Sequence, residues 1–195
     1  MLDYIKKEDA KYSRFYKKRW GDGPVKMSCE VMASVLKPQY KTILDCGCGL
    51  STLRKYIKCD KYTGIDISSY QINKLNSKNE DKNLKFVRCS LTEPLPFKEN
   101  EFDCVFSLDV LEHISTKYID DTLNNMLQVS KEFIFSICLR EAKAKDKDGN
   151  QVHLTVKPDT WWLNKLNACG YNVEYKRYLN QKKSTMVLKL SKNWR

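Results

Sequence analysis

The spacing of hydrophobic positions changes repeatedly along the chain and separates predicted strands from predicted helices. Short apolar runs rich in β-branched and aromatic residues predict strands at residues 42–45, 62–66, 84–89, 102–108 and 133–138. Between these runs, apolar residues recur at helical spacing and predict helices at residues 26–36, 50–57, 69–76 and 118–129. Strands and helices that alternate in this order are typical of βαβ units, which form a parallel sheet.

Two of the predicted strands contain runs that are apolar throughout, "CVFSL" and "FIFSICL", instead of alternating. Continuous apolar strands are expected where helices cover both faces of a sheet. After Pro158, a helical pattern at 159–168 ends before Gly170, and alternating segments at 171–178 and 185–190 flank a polar turn. The sequence therefore predicts an α/β fold, a doubly wound, mostly parallel seven-stranded sheet with helices on both faces and a C-terminal antiparallel hairpin.

A chain of 195 residues suits one domain, and the glycine-containing break at residues 21–24 sets residues 1–24 apart. No run of about 18 apolar residues is present, so no membrane span is expected. Charges interrupt each short apolar group near Met1, unlike a secretory signal, and a cytoplasmic location is expected. We therefore expect a single domain over residues 1–195, in which residues 1–24 form an N-terminal arm or lid.

Eight cysteines are distributed singly through apolar segments, with no C-x-x-C pair and no Cys/His cluster at zinc spacing. The two nearest ones, Cys46 and Cys48, have no histidine near them in the sequence, and a structural zinc needs four ligands. Small hydrophobic side chains in a reducing compartment explain this distribution. The sequence thus predicts no metal site.

The net charge of +11 and the isoelectric point of about 9.2 indicate either an anionic partner or a solvated lysine-rich surface. Cations and aromatic residues interleave most densely in residues 11–20, "KYSRFYKKRW". This pattern suits contacts with phosphates and bases, but it also suits a helix that packs Tyr12, Phe15 and Tyr16 inward and leaves its lysines in water. We favour the packed helix.

The segment "TILDCGCGLST" at residues 42–52 places a glycine turn directly after a predicted strand. In an open α/β sheet, ligands bind beyond the carboxyl ends of the strands, and Gly47 and Gly49 would let the backbone approach a ligand closely. Asp66 ends the next predicted strand about 20 residues later, a position that suits the hydroxyls of an adenosine ribose. Both a nicotinamide cofactor and S-adenosylmethionine carry that ribose, so these residues alone leave both open.

Four motifs in order, "ILDCGCGLST", "GIDIS", "FVRCSLTEPLPF" and "FDCVFSLDVLEHI", resemble the motif set of class I S-adenosylmethionine-dependent methyltransferases across residues 40–115. The resemblance implies that S-adenosylmethionine is the cofactor and S-adenosylhomocysteine the product. It also implies that the glycine turn borders the methionine part, that Asp66 holds the ribose, and that the residues after the third strand lie at the edge of the adenine. The cofactor-binding residues expected from it are Asp45, Cys46, Gly47, Cys48, Gly49, Asp66, Ile67, Ser90, Leu91 and Asp109.

The end of the fourth strand, "SLDVLEHI", faces the methyl group in that family. It lacks the Pro-Pro motif of enzymes that methylate nucleobase amines, and the chain has no Pro-Cys nucleophile for cytosine C5. The "DVLEHI" form is similar to enzymes that methylate small molecules, so an oxygen or nitrogen of a small molecule is the expected acceptor. His113 and His153 are the candidate catalytic bases, and the expected substrate-binding residues are Tyr16, Trp20, His153 and Trp161.

Three other functions stay open from the residues alone. The basic surface favours an RNA or DNA methyltransferase, and the glycine turn with Asp66 allows a nicotinamide-dependent oxidoreductase. The same fold could also serve as a non-catalytic binding subunit. A nucleic acid is thus the alternative partner to a small-molecule acceptor.

Overall fold

A seven-stranded sheet forms the centre of the computed structural model, which describes residues 1–18, 25–34 and 40–193. The strands are β1 (Thr42–Cys46), β2 (Lys61–Asp66), β3 (Leu84–Arg88), β4 (Cys104–Leu108), β5 (Glu132–Cys138), β6 (Tyr171–Tyr178) and β7 (Thr185–Lys192). The helices are α1 (Leu2–Lys17), α2 (Val25–Ser34), α3 (Ser69–Asn76), α4 (Ile119–Val129) and α5 (Asp159–Ala168), with short 3₁₀ turns at Thr52–Lys55, Leu111–His113 and Thr116–Tyr118. None of the helices in the described ranges has both the length and the apolar character that crossing a membrane requires.

The strands lie in the order β3-β2-β1-β4-β5-β7-β6, with β1 to β5 parallel and β7 antiparallel to both of its neighbours. The order runs outward from β1 through β2 and β3 on one side and through β4 and β5 on the other, so a switch point lies between β1 and β4. The register pairs Cys46 with both Ile65 and Ser107, which brings the carboxyl ends of β1, β2 and β4 to one edge. The predicted fold class, hairpin included, is confirmed.

Both faces of the sheet are covered by helices, as the continuous apolar strands predicted. On one face, Leu44 and Phe133 pack with residues of α4 and α5. On the other face, Ile43 and Ile134 pack with residues of α2 and α3. Neighbouring residues of a strand point to opposite faces, so β1 and β5 each supply both cores. With both faces occupied, a ligand site is expected at an edge where strands end.

The predicted bounds of α3, α5 and β6 are those observed. The predicted helix at residues 50–57 is wrong in type, because only the 3₁₀ turn Thr52–Lys55 forms there. Ser51 adopts the left-handed conformation, with φ of 58°, and its N–H donates to the Cys48 carbonyl oxygen at 2.7 Å. A left-handed residue does not continue a right-handed helix, so the regular helix cannot extend back to Leu50.

The predicted strand at residues 102–108 begins later, at Cys104. Phe102 forms only an isolated bridge, and the carboxylate of Asp103 accepts the N–H of Thr42 at 2.8 Å. Asp103 therefore holds the start of β1 instead of extending β4. The predicted helix at residues 26–36 corresponds to α2, and its last two predicted residues lie outside the described ranges.

Candidate functional site

A cavity of about 610 Å³ lies at the carboxyl edge of the sheet, beyond the ends of β1, β2 and β4. Its wall is built from the turns that follow these strands, from the segment after β3 and from the inner face of α1. The acidic side chains lining it are Glu8, Asp45, Asp66, Asp109 and Glu112, and the basic ones are Arg140 and Lys143. Acidic groups thus outnumber basic groups in the cavity, although the whole chain carries a net charge of +11.

The turn after β1 requires glycine at two positions that line the cavity. Gly47 has φ of 76°, and a β-carbon there would lie 2.4 Å from Cγ2 of Val110. Gly49 has φ of 50°, and a β-carbon there would lie 2.8 Å from the Tyr16 hydroxyl oxygen. Side chains at either position would be strained and would meet atoms already in place. The turn therefore keeps its backbone exposed to whatever occupies the cavity.

Asp66, at the end of β2, is held in position by backbone amides. Its Oδ1 accepts the N–H of Ser68 at 2.8 Å, and its Oδ2 accepts the N–H of Gly49 at 3.0 Å. The Tyr16 hydroxyl donates to the same Oδ2 at 3.5 Å. Burial raises the pKa of Asp66, and these hydrogen bonds oppose the rise. The carboxylate is thus an oriented acceptor at the cavity wall, suited to hydroxyl groups.

Asp45, the fourth residue of β1, is nearly fully buried and also lines the cavity. The Tyr62 hydroxyl donates a hydrogen bond to its carboxylate. Burial raises the pKa of Asp45 to about 7, although the hydrogen bond from Tyr62 works against the rise. Ionisation of Asp45 is therefore unfavourable until a cationic group lies beside it.

The two cysteines of this turn lie in different surroundings. Cys46 is fully buried in the core with Leu44 and does not line the cavity. Its side chain therefore cannot make the predicted contact with the cofactor in this structure. Successive residues of a strand point to opposite faces of the sheet, so Cys46 points away from the face that Asp45 occupies. Cys48 lines the cavity, and its sulfur fills the space over Gly64, where a β-carbon would lie 2.9 Å from it.

The segment after β3 forms the wall that the sequence assigned to the adenine. Ser90 and Leu91 line the cavity, together with Ile67 at the end of β2. The Ser90 and Thr92 hydroxyls lie 2.9 Å apart, and the Asn125 side-chain amide donates to the Leu91 carbonyl oxygen at 3.0 Å. These hydrogen bonds fix the segment against α4.

Asp109, just after β4, lines the cavity in an unusual backbone conformation. Its φ is 50°, in the left-handed region that non-glycine residues rarely adopt. The Ser136 hydroxyl donates to Asp109 Oδ1 at 2.7 Å, and the Asp109 N–H donates to the Ser136 carbonyl oxygen at 3.0 Å. Bonds to the neighbouring strand β5 therefore hold this turn open toward the cavity.

The inner face of α1 covers the cavity. Four side chains at a spacing of four residues line it, namely Tyr4, Glu8, Tyr12 and Tyr16. The sequence identified Tyr12 and Tyr16 as inward residues but missed Tyr4 and Glu8. The regular spacing of four was the available signal, because residues i and i+4 share one face of a helix.

Hydrogen bonds from its other residues anchor α1 to the start of α3. Asp9 Oδ1 accepts the backbone N–H of Ser69 at 2.8 Å, and Asp9 Oδ2 lies 3.2 Å from the Arg88 guanidinium. The Ser13 and Ser68 hydroxyls lie 2.9 Å apart. The helix thus docks beside the β2 end and carries Tyr16 to Asp66. Trp20, a predicted substrate-binding residue, lies outside the described residues.

The two predicted catalytic histidines meet at the end of the cavity beyond β4 and β5. Their rings are 4.6 Å apart between centroids and nearly perpendicular. Burial and the neighbouring His153 lower the pKa of His113 to about 3, and burial also lowers that of His153. Both imidazoles are therefore neutral near pH 7. Glu112, next to them, is fully buried, and its Oε1 accepts the N–H of Cys138 at 3.1 Å.

The structure does not bring Trp161 to the cavity. This half-buried side chain packs against the core at the outer side of α5, with the ammonium groups of Lys157 and Lys165 about 6 Å from its ring centre. Its neighbour Trp162 is the fully buried one. The structure therefore does not support the predicted substrate contact of Trp161.

Residues 44–132 match the family model described as "Methyltransferase domain". The uncharacterized protein MJ0638 of Methanocaldococcus jannaschii is 26% identical over 116 residues, which cover 60% of this chain and 49% of that protein. The matching part of the chain therefore spans about half the length of this curated relative.

Solved structures with the same fold include several methyltransferases. The DhpI-SAH complex superposes with a TM-score of 0.78 at 15% identity and covers 98% of both chains. An S-adenosylmethionine dependent methyltransferase from Mesorhizobium loti gives 0.68 at 15% identity, over 88% of this chain and 99% of that one. Magnesium protoporphyrin IX methyltransferase from Synechocystis PCC 6803, with bound SAH, gives 0.67 at 15% identity, over 91% and 93%. At these identities the likeness shows a shared fold.

Proposed function

We propose that this chain transfers a methyl group from S-adenosylmethionine to an oxygen or nitrogen of a small molecule. The match of residues 44–132 to the methyltransferase domain model supports the class of enzyme. The product of the cofactor is S-adenosylhomocysteine. The observation that carries this proposal is the position of Asp66, held by the amides of Ser68 and Gly49 in the same cavity as Asp45 and the glycine turn.

The residues of the cavity fit S-adenosylmethionine, which supplies an electrophilic methyl group on a positively charged sulfonium. Asp66 offers an oriented carboxylate to the ribose hydroxyls, and the turn at Gly47 and Gly49 leaves room for close approach to the backbone. Asp45 and Asp109 add negative charge, which favours a ligand that carries a sulfonium and an ammonium group.

The size and charge of the cavity support a small acceptor over a nucleic acid. A volume of about 610 Å³ lies within the range of small-ligand pockets, and α1 covers it. Acidic residues outnumber basic ones in its lining, whereas a nucleic-acid groove is lined by cations that contact phosphates. The neighbour that acts on magnesium protoporphyrin IX is an example of this fold with a small-molecule substrate.

The chain's own residues have two tasks in the transfer. Tyr12 and Tyr16 line the cavity on the side that α1 covers, where they would exclude water from the methyl group. We therefore propose that α1, within the arm at residues 1–24, acts as the lid of the cavity. His113 and His153 line the end of the cavity beyond β4 and β5, and we propose that their neutral rings contact the acceptor's O–H or N–H there. With its pKa lowered to about 3, His113 can orient the acceptor but is too weakly basic to remove its proton. Positioning and proton removal are the main contributions that an in-line methyl transfer needs from a protein.

Cofactor choice is tested by thermal shift and calorimetry with S-adenosylmethionine, S-adenosylhomocysteine and NAD, on Asp66→Asn and on a matched control, Asp103→Asn. Asp103 also accepts backbone amides, from Lys41 and Thr42, but at the opposite end of β1. We expect S-adenosylhomocysteine to stabilise the wild type and the control, and its affinity to fall at least about 10-fold in Asp66→Asn. Stabilisation by NAD alone, or equal binding by both variants, would contradict the proposal.

The acceptor class is tested by transfer of a labelled methyl group. A pool of small hydroxyl and amine compounds is compared with total RNA and DNA as acceptors. We expect label in the small-molecule fraction. Label found only in the nucleic-acid fraction would replace this proposal with the alternative that the basic charge of the chain favours.

A further inference from the structure

Three potential metal ligands come together at the end of the cavity beyond β4 and β5. Glu112, His113 and His153 can each offer one ligand atom, and these atoms lie within 4.8 Å of one another. All three residues line the cavity. We propose that they bind a divalent transition-metal ion. The sequence predicted no metal, since the cysteine spacing gave no site and His153 is distant from Glu112 along the chain.

The hydrogen bonds of both imidazoles suit metal ligands. His113 Nδ1 lies 3.0 Å from the Val152 carbonyl oxygen, and His153 Nδ1 lies 2.7 Å from the Arg140 carbonyl oxygen. A carbonyl oxygen only accepts, so Nδ1 carries the proton in both rings and Nε2 is the nitrogen that can coordinate. Metal-binding histidines commonly donate their other N–H to a carbonyl or carboxylate, which fixes the ring and its tautomer.

Backbone hydrogen bonds hold the two ligand-bearing segments together without any metal. The Glu112 carbonyl oxygen accepts the N–H of Leu154 at 2.7 Å and that of Thr155 at 2.9 Å. The Thr155 hydroxyl also donates to the Ile114 carbonyl oxygen at 2.6 Å. The turn after β4 and the segment that carries His153 are therefore in fixed register, and the ligands are preorganised.

The side chain of Glu112 provides an independent observation. It is fully buried, and while Oε1 accepts the Cys138 N–H, Oε2 has no hydrogen-bond partner among the described residues. A buried carboxylate oxygen without a partner is costly, and a bound cation would satisfy it. Lys11 of α1, whose charge acts on His113, is ion-paired with Glu8. Its charge therefore opposes a cation at this site less than an unpaired lysine would.

Two imidazoles and one carboxylate are the ligand set of catalytic zinc sites and of non-haem iron(II) sites, which keep positions open for water or substrate. Imidazole nitrogens favour such metals over Mg²⁺ and Ca²⁺. The role of the metal rests on the proposed function: with both imidazoles acting as ligands instead of as bases, the metal would lower the pKa of an acceptor hydroxyl or amine beside it, whose proton would leave to bulk water. The binding of the metal does not depend on that function.

Binding is tested by titrating chelator-treated protein with Zn²⁺ in calorimetry and with Co²⁺ in absorption spectroscopy. We expect one equivalent to bind the wild type, with a Co²⁺ spectrum of nitrogen and oxygen ligands. The variants His153→Ala and Glu112→Gln should each lose at least about 100-fold in affinity. His153 is only partly buried, so His153→Ala tests the site with little risk to folding.

Cysteines are the competing ligands, and Cys59→Ser/Cys169→Ser is the matched control, because both thiols are partly exposed and distant from the cluster in sequence. This variant should bind as the wild type does. S-adenosylhomocysteine binding, measured in every variant, reports folding and tests the proposed function separately. The metal proposal is overturned if the wild type binds no Zn²⁺, if His153→Ala binds equally well, or if the cysteine variant loses the metal.

Discussion

At the scale of single residues, Gly47 combines a left-handed backbone with a space that Val110 already fills. We expect Gly47→Ala to lower the free energy of unfolding by about 3 kcal/mol, from backbone strain and overpacking together. Gly149 is the matched control, since its φ is 81° but nothing lies within 4 Å of an added β-carbon. Gly149→Ala should cost only about 1 kcal/mol.

Urea denaturation measures both effects. The double variant Gly47→Ala/Val110→Ala should recover the packing part of the loss, because it removes the side chain that the new methyl group meets. Equal destabilisation by the two glycine variants would contradict a steric role for Val110.

The raised pKa of Asp45 should make the free energy of unfolding depend on pH, in a direction that can be worked out. Burial raises its pKa in the folded protein from 3.8 to about 7, so the folded state holds a proton that the unfolded state releases. The stabilisation that this proton provides is complete below the unfolded pKa of 3.8, and it is lost as the pH rises through the folded pKa of about 7. The free energy of unfolding of the wild type should therefore fall relative to Asp45→Asn, by up to about 4 kcal/mol between pH 4 and pH 8.

Denaturant titrations at several pH values test this difference. A constant gap between wild type and Asp45→Asn across that range would show that Asp45 titrates normally. Saturation with S-adenosylhomocysteine, whose ammonium group brings a positive charge to the acidic cavity, should flatten the curve of the wild type.

The sequence predicted these residues with differing success, for physical reasons. Gly47, Gly49 and Asp66 line one cavity, as expected for residues at the ends of neighbouring strands in a parallel sheet. Ser51 was assigned to a helix, because a serine side chain does not indicate that its backbone adopts a left-handed conformation. Cys46 was assigned to the cofactor because every residue of the glycine motif was included. The alternation of side chains along β1 instead directs Cys46 toward the core.

At the scale of elements, α1 is held over the cavity by a small number of polar contacts. Asp9 accepts the N–H of Ser69 and pairs with Arg88. We expect Asp9→Ala to speed amide hydrogen exchange in α1 about 10-fold, since losing such a capping acceptor costs about 1 kcal/mol. Exchange in α4, which lies in the core of the other face, should stay unchanged.

Asp120→Ala is the control for this variant. It removes an exposed ion pair between α4 and Lys165 and should leave exchange in α1 as it is in the wild type. If Asp9→Ala leaves α1 equally protected, apolar packing alone holds the helix in place.

The order and type of the elements followed from local patterns, but the position of α1 did not. The period of hydrophobic residues marks a strand or a helix wherever it stands. The docking of α1 depends on Asp9 and Ser13 meeting the first turn of α3, a contact between residues about 60 positions apart. Tyr4 and Glu8 were missed for this reason, although their spacing with Tyr12 and Tyr16 was visible.

At the scale of the whole molecule, positive charge and the cavity are separated. The chain carries a net charge of +11, whereas the cavity lining is mainly acidic. We expect the affinity for S-adenosylhomocysteine to change less than about 3-fold between about 50 and about 200 mM salt, because a buried site is screened weakly. Contacts with several phosphates would instead make affinity for a nucleic acid fall steeply over the same range.

Methyl transfer measured across the same salt range distinguishes a small acceptor from a polyanionic acceptor. A steep loss of transfer at constant cofactor affinity would indicate a polyanionic acceptor on the basic surface. Net charge could be counted from the sequence, but its distribution could not, because Glu8, Asp45 and Glu112 come to line one cavity only in the folded chain.

The hydrogen bond from Tyr16 to Asp66 also has a kinetic consequence. Oδ2 of Asp66 already accepts both the Gly49 N–H and the Tyr16 hydroxyl, so an incoming ribose competes with the chain's own side chain for that oxygen. We therefore expect association to follow an opening of α1, so that its observed rate levels off as the cofactor concentration rises. Tyr16→Phe, which keeps the ring and removes the competing hydroxyl, should raise that plateau.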